Sequence, residues 1–289
     1  MSVFVELAVG TSCGQVSLAQ ADAIAAAAQE AGATGLRLVD SGFDAATVDP
    51  SIVGSYLAGR HGDLSYVIDA PTTRNAPYNL ARRVVAFDRA ADGRVGLVLR
   101  TGEGDEVSDA VQPAVGAADR AQRWAEYAAI ATGLWESFPR NALLGDQAAA
   151  LVVDETLIHP IDFDGRYYRV RGPLDGPGSV QGRPVLFAAD VAELGWARIA
   201  QAADGVIVDA TEVAGADDAL SDQLAAMGRR RDEVALLARV SDVGALPAAD
   251  GYVLALNRTA AGIAEAVREL VPQLRGAAGP TLREALVIG

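Results

Sequence analysis

The stretch RPVLFAADVAELGWARIAQAADGVIVDA, residues 183–210, carries the fold in miniature. RPVLFAAD (183–190) and DGVIVDA (204–210) read as strands built on short apolar runs. The segment between them, VAELGWARIAQAA (191–203), reads as a helix. A helix between two buried strands argues for a parallel pair, because parallel strands need a long crossover. The first junction opens on Asp190, Val191 and Ala192, where a phosphate-cradling helix start carries Gly or Ser.

The same alternation extends outward in both directions. FVELAVG (4–10), TGLRLVDS (34–41), LSYVIDA (64–70) and RVGLVLRT (94–101) read as four earlier strands, and EVALLARV (233–240) and DGYVLALN (250–257) as two later ones. Helices fill the gaps. Ser17 caps the first and Gly32 stops it; Asp49 caps the second, with Pro50 at its first position. Residues 76–91 form a third helix that ends in the Asp92-Gly93 turn. Residues 117–138 form the longest, with an apolar stripe of Trp124, Tyr127, Ile130, Leu134 and Phe138 at spacings of three and four. Trp124 and Trp135 are therefore packing anchors. Eight strand–helix units predict a (β/α)8 TIM barrel, an α/β fold; an open doubly wound sheet is the alternative. No break in composition marks a second domain, so residues 1–289 form one unit. The irregular segment 139–182, rich in Gly, Pro and Asp, is an insertion after the fourth strand, expected at the C-terminal face, with GRYYRVRG (165–172) as a short extended element.

The chain has 289 residues, no Lys and a net charge of −14. Nucleic acid and anionic membranes are poor partners for such a charge. The run Arg229-Arg230-Arg231 suits a helix C-terminus. No apolar run reaches the ~18 residues of a spanning helix, and the start lacks a signal-peptide pattern, so a cytoplasmic location is expected. Cys13 is the single cysteine and excludes an intrachain disulfide. Two distant histidines, His61 in a solvated turn and His159 in a loop, give no metal-ligand spacing. Ser12 and Ser17 lack a nucleophile elbow. GEGDE (102–106) lacks the spacing of a dinucleotide loop.

HPIDFDGRYYRVRGPLDGPGSVQGRPVLFAAD (159–190) resembles a segment of the bacterial luciferase-like monooxygenases, nearest the nitrilotriacetate and dibenzothiophene-sulfone monooxygenase group. NAPYNLARRVVAFDRAADGRVGLVLRTG (75–102), GLWESF (133–138) and TLREAL (281–286) resemble the same group in the same order. The resemblance implies a (β/α)8 barrel and oxygenation of a small organic substrate. It also implies reduced FMN from a separate flavin reductase, and a homodimer or heterodimer. It places the flavin ring near polar residues at the ends of the early strands. Asp40, Ser41, Thr72, Thr73, Tyr78 and Thr101 match that pattern and are the implied cofactor-binding residues, with Arg100 beside them.

Two positions depart from the family pattern. Asp190, Val191 and Ala192 stand where the family has Gly-Ser-Ser against the phosphate, and Val98 stands at an Asn position. Asp190 with Glu193 three residues on reads as a capping box, so this helix is expected to cap itself where relatives hold phosphate. Strand period two turns Arg100 inward with Val98. Arg100 then either holds an anionic ligand or pairs with Asp40, Asp69, Asp190 or Asp209 and plugs the mouth; the convergence of acids favours the plug. Two functions follow. One is a flavin-dependent monooxygenase. The other is a non-catalytic family member with a degenerate flavin pocket, serving as a binding or partner subunit. A hydrolase using strand-end carboxylates is a third, more distant option.

Overall fold

The computed structural model describes residues 1–40, 47–102, 119–241, 244, 246–274 and 279–288. Eight parallel strands close into a barrel. They are β1 (Ser2–Leu7), β2 (Gly35–Leu38), β3 (Ser65–Pro71), β4 (Val95–Arg100), β9 (Val185–Ala188), β10 (Gly205–Asp209), β11 (Ala235–Val240) and β12 (Gly251–Leu254). β1 closes the ring by pairing with both β2 and β12. Each of the eight expected strands is present, and the open-sheet alternative is not adopted.

The helices follow from local signals. α1 (Leu18–Ala31) starts on a Ser17–Gln20 capping box and stops at Gly32, whose φ of 75° only glycine adopts cheaply. α2 (Pro50–Ala58) is capped by Asp49. α3 (Pro77–Ala90) ends at Asp92-Gly93, both at positive φ. α4 (Arg120–Glu136) buries Trp124 and Trp135 completely, and their indole N–H groups donate to Leu99 O at 2.7 Å and Ala81 O at 2.9 Å. The helix is thereby pinned to β4 and α3, as buried indoles require. Beyond β9 come α5 (Val191–Leu194), α6 (Trp196–Ala202), α7 (Val213–Ala226), α8 (Ala260–Leu274) and α9 (Leu282–Ala285). The arginine run after α7 is engaged in ion pairs, Arg229 with Glu233 and Arg231 with Asp217 and Asp250. A carboxylate at contact distance holds a guanidinium more firmly than a helix dipole does.

The segment between α4 and β9 contains two small hairpins, β5 (Leu143–Asp146) with β6 (Leu151–Val153) and β7 (Phe163–Asp164) with β8 (Arg169–Val170). It lies along α4. Its return end is held at the barrel's N-terminal end, where Gln181 Nε2 donates to Asp88 Oδ1 at 2.8 Å and to Val95 O at 3.0 Å. Its middle reaches the opposite end, where Tyr168 stacks edge-on against Tyr127.

Two apolar layers result. One lies between strands and helices. The other fills the lumen with Phe4, Val67, Val98, Val185, Phe187, Ile207, Leu237 and Val253. Gly96 and Gly205 make room for the Phe187 ring: a Cβ would fall 2.8 Å from it at Gly96 and 2.6 Å at Gly205. Leu282, Leu286 and Ile288 close the N-terminal end of this layer, and Ser2 Oγ donates to Ala285 O at 2.6 Å.

Candidate functional site: an ionic chain across the barrel mouth

Alternate strand residues share a face, so the residue two beyond each lumen-filling side chain also points inward. On five of the strands that next position is charged. Glu6 follows Phe4, Asp69 follows Val67, Arg100 follows Val98, Asp209 follows Ile207 and Arg239 follows Leu237. Arg37 on β2 joins them. At the C-terminal mouth these side chains link into one run. Arg100 reaches Asp190 Oδ1 at 2.6 and 2.9 Å and Asp69 Oδ2 at 3.3 Å. Arg37 grips both Asp69 oxygens, at 3.1 and 3.0 Å, and donates to Glu6 Oε2 at 2.9 Å. Arg239 reaches Glu6 Oε1 at 2.8 Å and Asp209 Oδ1 at 3.4 Å. The order is Asp190–Arg100–Asp69–Arg37–Glu6–Arg239–Asp209, and the sign alternates at every step. β11 and β1 are not neighbours, since β12 stands between them, so the Arg239–Glu6 contact passes over the end of β12 and the run follows the rim of the mouth.

Within this run solvent access rises from Asp69 toward Asp209. The Asp69 side chain is 0% exposed and Arg37 5%, whereas Arg239 is 43% and Asp209 64%. A buried ion pair gains little over apolar packing, but removing one partner costs roughly 3–5 kcal/mol because the other stays charged in low dielectric. The exposed arm contributes about 0–1 kcal/mol per pair.

Asp190 is bonded to backbone and hydroxyl donors as well as to a guanidinium. Besides Arg100, it accepts from Thr101 N at 2.8 Å and Thr101 Oγ1 at 3.2 Å. Burial alone would push its carboxyl up; the Arg100 bond and charge and the Thr101 donors outweigh this and hold it below its ordinary value. Thr101 Oγ1 also lies 2.7 Å from Glu193 Oε2, and Thr72 Oγ1 donates to Thr101 O at 2.6 Å. The expected Asp190–Glu193 capping box is not formed, and the Asp190 side chain makes no bond to the start of α5. A guanidinium and two Thr101 donors have taken the carboxylate instead, because charge-assisted bonds outcompete a neutral helix N–H.

Thr72, Arg100, Thr101 and Asp190 are therefore brought together, and Val98 lies inward beneath them as its strand phase predicts. Asp40 is elsewhere. It accepts from Arg74 and from Thr47 Oγ1, at 2.5 and 3.1 Å, in a cleft of about 300 Å³ by the starts of α2 and α3. Asp209 belongs to Arg239. Of the four acids considered for Arg100, Asp69 and Asp190 are its partners. Thr73 is buried, and its Oγ1 has no hydrogen-bond partner among the described residues. Tyr78 OH faces Pro173 O at 3.4 Å and so meets the insertion. Ser41 lies outside the described residues, as does most of GEGDE. His61 is not solvated: Nε2 lies 2.9 Å from Asp22 Oδ1. No group of three His, Cys, Asp or Glu that could hold a metal is found among the described residues.

Sequence reasoning missed Glu6, Arg37 and Arg239. The signal was present: each is the charged residue in an apolar strand (FVEL, GLRL, ALLARV), in the phase that faces the lumen.

The family resemblance implies that FMN phosphate would lie beside Asp190. The cleft beside Asp190, about 620 Å³, is lined by the carboxylates Asp190, Glu193 and Glu212, and no cation is among its described lining residues. Asp190 is paired there with Arg100 at 2.6 Å, and Arg120 Nε lies 3.6 Å from Glu193 Oε1. The remaining lumen space, about 310 Å³, is bordered by Glu6, Arg37, Arg100, Asp209, Glu212 and Arg239. That is the small end of ligand pockets, which run roughly 300–1,000 Å³ and are mostly apolar.

Comparison with known proteins gives the lineage. The chain is 31% identical to a pristinamycin IIA synthase subunit of Streptomyces pristinaespiralis over 224 residues, 76% of this chain and 70% of that one. It is 29% identical to nitrilotriacetate monooxygenase component A of Aminobacter aminovorans over 228 residues, 78% of this chain and 49% of that one. It spans less than half the length of several such monooxygenases, between 34% and 49%. The solved EDTA monooxygenase from Chelativorans sp. BNC1 shares the fold with a TM-score of 0.78 at 16% identity, over 100% of this chain and 98% of that one. The family described as luciferase-like monooxygenase matches residues 1–243. The chain belongs to the luciferase-like monooxygenase family.

Proposed function

We propose that this chain takes part in flavin-dependent monooxygenation of a small organic substrate, with reduced FMN delivered by a separate flavin reductase. The match of the family over residues 1–243 carries this reading. Relatives named as monooxygenases of nitrilotriacetate, dibenzothiophene sulfone and dimethyl sulfide support the reaction class. The name "component A" of the first supports a further component.

The ionic chain favours a second reading, in which this chain is the partner subunit and a related chain carries the flavin. The pristinamycin relative supports it as well, since that protein is named as one subunit of a synthase.

Reconstitution separates the readings. The purified protein is supplied with a flavin reductase, NAD(P)H and FMN, alone and mixed with luciferase-like chains of the same genome. It is then offered sulfides, sulfones, alkanes and aminopolycarboxylates. A substrate gaining one oxygen in the mixture but not with either chain alone supports the partner role. Oxygenation by this chain alone supports the first reading. No oxygenation in any combination contradicts both.

A further inference from the structure

We propose that the Asp190–Arg100–Asp69–Arg37–Glu6–Arg239–Asp209 run is a fixed seal standing where the family places flavin, so that this barrel takes no FMN at its C-terminal mouth. The proposal deepens the reading above by assigning the flavin of that reaction to another chain.

Three observations carry it. First, the seal is anchored on an acid with no solvent access: Asp69 is 0% exposed and bonded to two arginines, so it cannot lose them and stay ionised cheaply. Second, Arg100, the cation beside Asp190, is already held by Asp190 and Asp69. A phosphate would have to displace carboxylates that are part of the protein and always present. Third, of the donors that could cradle an anion there, Thr101 N–H points at Asp190 and the Thr101 hydroxyl is shared between Glu193 and Asp190, with Glu193 nearer. The carboxylate at 190 therefore takes the cation and the backbone donor together.

The test is binding by the full-length protein, independent of turnover. Oxidised FMN is titrated by flavin fluorescence, and dithionite-reduced FMN by anaerobic equilibrium dialysis. Thermal unfolding is recorded with and without each. The wild-type protein should show no saturable binding and no rise in Tm, since a ligand that binds only the folded state must raise it. The variant Asp190→Gly/Val191→Ser/Ala192→Ser frees Arg100 on one side and restores hydroxyl donors; its affinity for FMN should rise at least about tenfold over wild type. One-to-one binding of either flavin by the wild-type protein, with a matching rise in Tm, overturns the proposal whether or not the variant folds. A folded variant with unchanged affinity also overturns it. These results are separable from the functional reading: a flavin-free chain that supports no oxygenation in any mixture defeats that reading and leaves the seal standing.

Discussion

The two ends of the barrel are closed by opposite chemistry. At the N-terminal end Leu282, Leu286 and Ile288 lie against Phe187, Val185 and their neighbours. At the C-terminal end seven charged side chains of alternating sign ring the mouth. The lumen contacts of the apolar closure carry no charge of their own. The ionic closure depends on every partner being present and charged. Strand phase explains the sidedness: on β1, β3, β4, β10 and β11 the inward positions are apolar in the first part of the strand and charged in the last. In barrels of this kind chemistry is placed at strand C-termini, so a change there alters function and leaves the fold intact.

The largest expected effect breaks the ionic closure at its buried end. Arg37→Met leaves Asp69 inaccessible to solvent with Arg100 as its remaining ion-pair partner, and should lower stability by roughly 3–5 kcal/mol in urea unfolding. Leu282→Ala, which opens a cavity at the other end, should cost about 3 kcal/mol. Its cost should stay the same between low and high salt; a cost that shrinks with salt would erase the contrast between the ends.

A buried acid near the apolar end sharpens the comparison. Asp88 Oδ1 accepts from Val95 N and Gln181 Nε2, while Oδ2 has no partner among the described residues. Burial pushes the carboxyl up to about 6 against those bonds. The folded state therefore binds the proton more tightly than the unfolded state. Stability from this group is present below about pH 4 and lost as pH rises through about 6. Asp88→Asn should gain on wild type by on the order of 2 kcal/mol across that window and stay level above it, read as Tm against pH. Asp190 has the opposite sign. Its lowered carboxyl adds stability above its unfolded value, and that stability is lost as pH falls through the folded value. The smallest effect belongs to the exposed arm: Asp209→Asn should change stability by less than about 1 kcal/mol, and less still in high salt.

The barrel was legible in the sequence because its signals are local. Ser17, Gly32, Asp49 and Pro50 mark helix ends, and apolar runs mark each strand. The site was legible in part. Strand phase turned Arg100 inward, and the abundance of strand-end acids pointed to a plug. What stayed hidden was pairing. Arg37 and Glu6 are 31 residues apart in sequence and Arg239 and Glu6 are 233 apart, and they meet only once the barrel closes. The capping box failed for the same reason: the local pattern at Asp190 was correct, and a guanidinium 90 positions away in the chain outcompeted it.

A double-mutant cycle on Arg100 and Asp190 tests whether the mouth is held by paired charge. Arg100→Met, Asp190→Leu and the double variant are unfolded in urea alongside wild type. If the two side chains act as a closed pair, the double variant should lose less stability than the summed single losses by at least about 1 kcal/mol. Losses that add to within about 0.5 kcal/mol would mean that the two groups do not hold each other, and the ionic closure would be contradicted.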